Sequence, residues 1–153
     1  MSPILTLSDL KSYFSSVASD LGCSFEFGNS ERILNRQLSN LVYPVLWLEV
    51  PDIRMLRDGT LHRQFQAAFL CLSDVPADDF DGQDEALDAM YTLTEQVLQR
   101  MQADSESQPV PFIFDIAGAR SEYKGMWSAD DDWGWRTEFD LVGAACDNAD
   151  CCA

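Results

Sequence analysis

The chain holds few side chains that could do chemistry at neutral pH, and none meets a partner in a recognisable pattern. His62 is the single histidine. An imidazole can act as general acid or base only with a reacting proton or nucleophile in hydrogen-bond reach. No Gly-x-Ser-x-Gly elbow surrounds any serine, and a cysteine nucleophile would have to share His62. On the polar side of a strand start, His62 reads as a surface histidine. Asp79-Phe80-Asp81-Gly82 echoes the middle of a calcium loop. The register fails, because position one falls on Ala77 and position twelve on Asp88 instead of a bidentate glutamate. The acids there read instead as the negative start of a helix. The five cysteines are Cys23, Cys71, Cys146, Cys151 and Cys152. Three crowd the C-terminal end, but a zinc site wants a second spaced pair, which this chain lacks. Cys71 lies in an apolar run and reads as a small buried hydrophobe. With 26 acidic residues, carboxylate pairs arise by chance, and none sits in a run that predicts an apolar pocket. The reading is a non-enzyme with no cofactor and no metal.

The charge balance narrows the partners. Ten basic residues against 26 acids leave a net charge of −16, and only Lys11 and Lys124 are lysines. A field of that sign opposes phosphate backbones, so specific nucleic-acid binding is not expected. It fits solubility, a surface that lets DNA pass without adhering, an imitation of DNA itself, or adaptation to a salty host. At 153 residues with 46% hydrophobic content, one domain over residues 1–145 is expected, followed by a flexible tail of Cys and Asp over 146–153. No run approaches the roughly 20 apolar residues of a membrane span. Met1-Ser2-Pro3-Ile4-Leu5 lacks the basic patch of a signal peptide. Reduced cysteines in a cytoplasmic setting follow as the expectation.

Hydrophobic spacing then supplies the elements. Leu7, Leu10, Phe14, Val17 and Leu21 recur at gaps of three and four, predicting a helix from about Ser8 to Leu21, capped at Thr6-Leu7-Ser8-Asp9 and stopped by Gly22. Cys23 to Phe27 predicts a short strand, and Ser30 to Leu41 a loop with helical tendency. Pro44 to Val50 is apolar on nearly both faces and predicts a central strand. Arg54 to Gly59 reads as a connection with Asp58-Gly59 as its turn. From Leu61 to Leu72, Phe65, Ala67, Phe69 and Cys71 share one face, while the other passes from His62, Gln64 and Gln66 to Ala68, Leu70 and Leu72. Leu87 to Met101 predicts an amphipathic helix, Gln102 to Pro109 a polar connector, and Val110 to Ile116 an edge strand holding Pro111. Gly118 to Asp132 reads as a long excursion. Trp133, Trp135, Thr137, Phe139 and Leu141 then face away from Arg136, Glu138 and Asp140 in a half-buried strand. The fold class is α+β: one antiparallel-rich or mixed sheet of four to five strands with two helices packed on it, in the order α-β-β-β-α-β-β.

Two loops hold the interface candidates. Trp127, beside Asp130, Asp131 and Asp132, is a loop aromatic of the kind enriched at interfaces. Arg54, Met55, Leu56 and Arg57 place two apolar residues and two arginines between central strands.

The run Tyr43-Pro44-Val45-Leu46-Trp47-Leu48-Glu49, the long strand after it, the helix after an acidic turn, and the terminal Gly134-Trp135-Arg136-Thr137-Glu138-Phe139-Asp140-Leu141 strand resemble small neck or tail-completion proteins of phages and prophages. The resemblance is to the tail-terminator type of Bacteroidetes-like elements, and it lies in element order over most of residues 5–146. It implies a small α/β structural protein without catalytic residues, closing the end of a tail tube as a homo-oligomeric ring, a hexamer. The partners so implied are copies of itself, tail-tube proteins and head-connector proteins, and the setting is the bacterial cytoplasm and then the virion. The rival reading is an acidic DNA mimic that inhibits a nucleic-acid-binding enzyme. The cysteine cluster at the tail is foreign to the resemblance.

Overall fold

A computed structural model describes residues 5–29, 41–58, 60–76, 78–107, 110, 112–125 and 132–144. The first helix, α1, spans Leu7–Asp20. Thr6 caps it: its hydroxyl accepts from the Asp9 N–H at 3.1 Å, and the Asp9 carboxylate accepts from the Thr6 N–H at 3.1 Å. The reciprocal pair satisfies two helix-end donors. At the other end Gly22 takes φ of 75°, a left-handed turn that stops the helix. Both termini thus form where the sequence places them.

The strands are β1 (Ser24–Phe27), β2 (Val45–Leu48), β3 (Asp52–Asp58), β4 (Thr60–Asp74), β5 (Arg120–Gly125) and β6 (Asp132–Ala144), and the second helix, α2, spans Phe80–Ser107. They build a six-stranded mixed sheet in the order β1-β2-β4-β6-β5, with β3 paired to β4. β1 and β2 run parallel, and the other pairs are antiparallel. β2 pairs with the second half of β4, from Val45 opposite Leu72 to Leu48 opposite Phe69. β3 pairs with the first half, from Asp52 opposite Gln66 to Asp58 opposite Thr60. The two therefore follow one another along a single edge of β4.

Both helices pack on one face of the sheet. Leu10, Phe14 and Val17 of α1 and Met90, Leu93, Val97 and Met101 of α2 meet Leu46, Leu48, Phe65, Phe69, Phe139 and Leu141 in one buried cluster. At its centre the Phe14 ring lies 5.9 Å from Phe69 and 5.6 Å from Phe139, and Phe69 and Phe139 lie 5.7 Å apart. Such tilted aromatic pairs stabilise beyond the area they bury. Neither helix reaches the opposite face. There a smaller cluster of Val45, Trp47, Leu70 and Leu72 is covered by Leu41 and Tyr43, and the Trp47 indole N–H donates to the Gly28 carbonyl at 2.9 Å.

The α+β class holds, while the element order becomes α-β-β-β-β-α-β-β. Arg54 to Gly59 is no connection: Asp52 to Asp58 is a strand, with the reversal where Asp58-Gly59 predicts it. Among the described residues from Val110 to Ile116 the expected strand does not form. Ile113 bridges Val142 in isolation, because the backbone donors that follow are taken by side chains at the end of α2. Ser105 Oγ accepts from the Phe114 N–H at 2.9 Å and Gln102 Oε1 from the Ile116 N–H at 2.8 Å. Phe112 and Phe114 are buried all the same. The predicted connector from Gln102 is helical to Ser107, supported by Arg100–Asp104 at 2.8 Å and Gln102–Glu106 at 2.8 Å, one turn apart. Part of the long excursion is the edge strand β5, and its polar sequence hides a strand that packs on one side only. Residues 30–40 and 146–153 lie outside the described residues.

Candidate functional site

Even-numbered residues of β4 and β6 point to the face away from the helices, in the register set by Gln66 opposite Asp140, Ala68 opposite Glu138 and Leu70 opposite Arg136. Ala68 is small, so the face dips at its centre into an open trough of about 530 Å³ lined by Glu49, Asp52, Gln66, Ala68, Arg120, Arg136, Glu138 and Asp140 among others. Arg136 organises one wall. Its guanidinium donates to Glu138 at 2.6 Å, Glu49 at 2.7 Å and Glu122 at 3.4 Å, and Lys124 lies 3.5 Å from Glu122. Partial burial works against the Arg136 charge, but the bond to Glu138 and the charge of Glu49 outweigh it and hold the guanidinium above its ordinary pKa. The hydrogen bond from Arg136, and then its positive charge, keep the Glu138 carboxyl below the usual carboxylate range.

This arrangement limits the chemistry. A carboxyl held ionised cannot serve as a general acid at neutral pH, and an arginine shared by three carboxylates has no free fork for a phosphate. Among the described residues no three His, Cys, Asp or Glu side chains come together as metal ligands. Cys71 is fully buried, and burial pushes its thiol up to about 12, far from a reactive thiolate. Burial, then the bond to Asp104, likewise raises the Tyr13 phenol well above its ordinary value. The trough is a structural lattice of ion pairs.

The edge strand β3 is of another kind. Ile53 and Met55 pair with Phe65 and Arg63 of β4, on the helix side of the sheet, but beyond the reach of either helix. Ile53 is 52% exposed and Met55 49%. Arg57 shares their side of the strand, Arg54 points to the other, and both arginines are exposed. Among the described residues neither arginine forms an ion pair. By contrast Arg63 donates to the Leu5 carbonyl at 2.7 Å and Arg100 is held by Asp20 and Asp104.

The far end of the molecule is uniformly acidic, whereas the β3 sequence sets Asp52 and Asp58 against its two arginines. β4 is 15 residues long, so about 50 Å separates its two ends. Trp135, opposite Cys71, donates its indole N–H to the Leu87 carbonyl at 2.9 Å. That bond places the beginning of α2 over the Asp74 end of β4. Asp74, Asp78, Asp79, Asp81, Asp84, Glu85 and Asp88 are all exposed there, with no basic residue between Asp74 and Arg100. Phe80 stands among them, 73% exposed. Asp79 serves the helix itself. Its side chain accepts from the Gly82 N–H at 3.0 Å and its carbonyl from the Gln83 N–H at 2.9 Å, capping α2. The calcium-like motif is a helix start.

No protein-family model and no curated protein matches this chain. The geometry alone therefore ranks the predicted site residues. Arg54, Met55, Leu56 and Arg57 fall together on β3, with Leu56 the least exposed of the four. Asp132 is fully buried and accepts from the Tyr43 hydroxyl at 3.3 Å. Trp127, Asp130 and Asp131 lie outside the described residues. Trp135 anchors α2 as its strand face implies. Trp133 packs on Tyr123 instead, and among the described residues its shielded indole N–H meets no acceptor. Among the described residues no helix is long and apolar enough to cross a membrane. Sequence reasoning missed Ile53 and Phe80 as surface features. The signal for Ile53 was its period-two spacing with Met55 ahead of an Asp-Gly turn.

Proposed function

We propose that this chain is a structural subunit of a phage-type virion, a tail terminator or neck component that acts by closing into a ring and docking. The observation that carries the reading is β3. It is a sheet edge extending past the helices, with exposed Ile53 and Met55 and two arginines that form no ion pair among the described residues. Exposed apolar residues on an open strand edge invite pairing with another chain. The ion-pair lattice of the other face supports a non-enzymatic role. The resemblance in element order supplies the ring, a hexamer, and its partners, the tail-tube and head-connector proteins, in the host cytoplasm and then in the particle. A lumen lined with acids would let DNA slide without adhering. Native mass by light scattering over a concentration series, with negative-stain images of the same fractions, tests this. Closed rings of uniform size are the expected result, and a strict monomer, even with tail tubes added, would contradict it.

A second reading has one specific observation behind it. Asp81, Asp84, Asp88 and Glu95 recur on the exposed side of α2 at gaps of three, four and seven, a line of charge at one- and two-turn intervals that a DNA-binding groove could accept. That reading, an acidic mimic occupying a nucleic-acid-binding enzyme, expects salt-sensitive capture of a nuclease by a monomer.

A further inference from the structure

The two ends of the molecule suit each other and cannot meet within one chain. One end offers exposed Arg54 and Arg57, without an ion pair among the described residues, together with exposed Ile53 and Met55. The other offers seven exposed carboxylates from Asp74 to Asp88 around an exposed Phe80. Each end thus carries exposed apolar residues among charges. The β3 sequence balances Arg54 and Arg57 against Asp52 and Asp58, whereas the other end is uniformly acidic, so β3 is the surface of a second copy that it repels least. Ile53 sits opposite Phe65 and the Leu87 turn of α2 lies over Cys71, about 20 Å further along β4, so the match is made only by a second copy.

We propose that the β3 edge of one copy docks on the acidic start of α2 of the next copy, with Ile53 and Met55 against Phe80 and Arg54 and Arg57 among the carboxylates. The inference rests on the self-assembling reading and names the contact that drives it. Such a contact is heterologous: each copy gives one surface and receives the other, and the chain of contacts closes into a ring when the rotation between copies allows. The occupant is argued from charge. In a protein of net charge −16, most of the surface of any neighbouring copy repels, and the exposed arginines of β3 steer the approach toward the acidic end.

Charge reversal tests the contact. Arg54→Glu with Arg57→Glu sets acids against the acidic end. Asp84→Lys with Asp88→Lys sets bases against the arginines. All four side chains are exposed, so circular dichroism and thermal melting should find both variants folded. Each alone should associate at least tenfold more weakly than the unaltered chain, by light scattering and sedimentation. Mixed at equal amounts they should assemble more strongly than either alone, because the two introduced lysines of one variant then face the two introduced acids of the other, while the unaltered surfaces of the pair still match. Failure of the mixture to assemble, or wild-type assembly by the first variant alone, would overturn this contact while leaving the ring reading intact. An unaltered chain that stays monomeric at every concentration would overturn both.

Discussion

β2 and β3 lie one after the other along the same edge of β4, yet they live in opposite environments. Val45, Leu46, Trp47 and Leu48 are buried on both faces, with β1 beyond them, a helix layer on one side and Tyr43 on the other. Just past Pro51, Ile53 and Met55 have the same backbone pairing, yet each is about half exposed. Pairing alone thus does not set a strand's role in this sheet. The layers above and below decide whether a strand is core or contact.

Substitutions should separate the two regions by kind as well as size. The greatest loss is expected beneath β2 and β4, where Phe14 fills the space between Phe69 and Phe139. Phe14→Ala should cost about 3–5 kcal/mol in chemical denaturation. A loss under about 1 kcal/mol would mean that the helix layer is not the source of the contrast. Next comes Cys71, opposite Leu46. Its thiol stays neutral in the folded chain up to about 12, whereas the unfolded chain releases the proton near 9.0. Stability is therefore full below about pH 9 and falls as pH rises, by about 2–3 kcal/mol at pH 11. Cys71→Ala should flatten that part of the slope, read from melting curves across the alkaline range. Tyr13 adds its own decline above its ordinary value in both proteins.

At the boundary between the regions, Arg136→Met would leave Glu49, Glu122 and Glu138 without their shared cation. A loss of about 1–3 kcal/mol is expected, and a stabilised variant would show that the lattice costs more in desolvation than it returns. The smallest effect on folding belongs to β3. Ile53→Ser with Met55→Ser should move stability by no more than about 0.5 kcal/mol per site while abolishing self-association. A large drop in melting temperature would mean that these residues serve the fold after all.

Much of the buried half was legible in the sequence. The three- and four-residue spacing of α1, its Thr6–Asp9 cap, the shift in character along β4 and the alternation of β6 all recur in the structure, because burial against one large layer imposes a strict period. The exposed strands were harder. β3 and β5 pack on one side or neither, so only the short Ile53–Met55 spacing marks the first as extended and no period marks Arg120 to Gly125. The stretch from Val110 to Ile116 erred in the other direction. Its alternation is real burial, but Ser105 and Gln102 take backbone donors that a sheet would need. The candidate site was half visible: Arg54 to Arg57 were found by composition, whereas the exposure of Phe80 depends on where α2 begins, seven residues before the apolar stripe at Leu87.

Amide hydrogen exchange at two protein concentrations reads the docking edge itself and needs no substitution. Dilute protein should exchange quickly from Asp52 to Arg57 and through the first turns of α2, with β2 protected throughout. Concentrated protein should slow exchange at β3 and at the start of α2 together, by at least tenfold, and leave β2 unchanged. Identical patterns at both concentrations, in a sample that light scattering shows to be assembled, would contradict docking through β3.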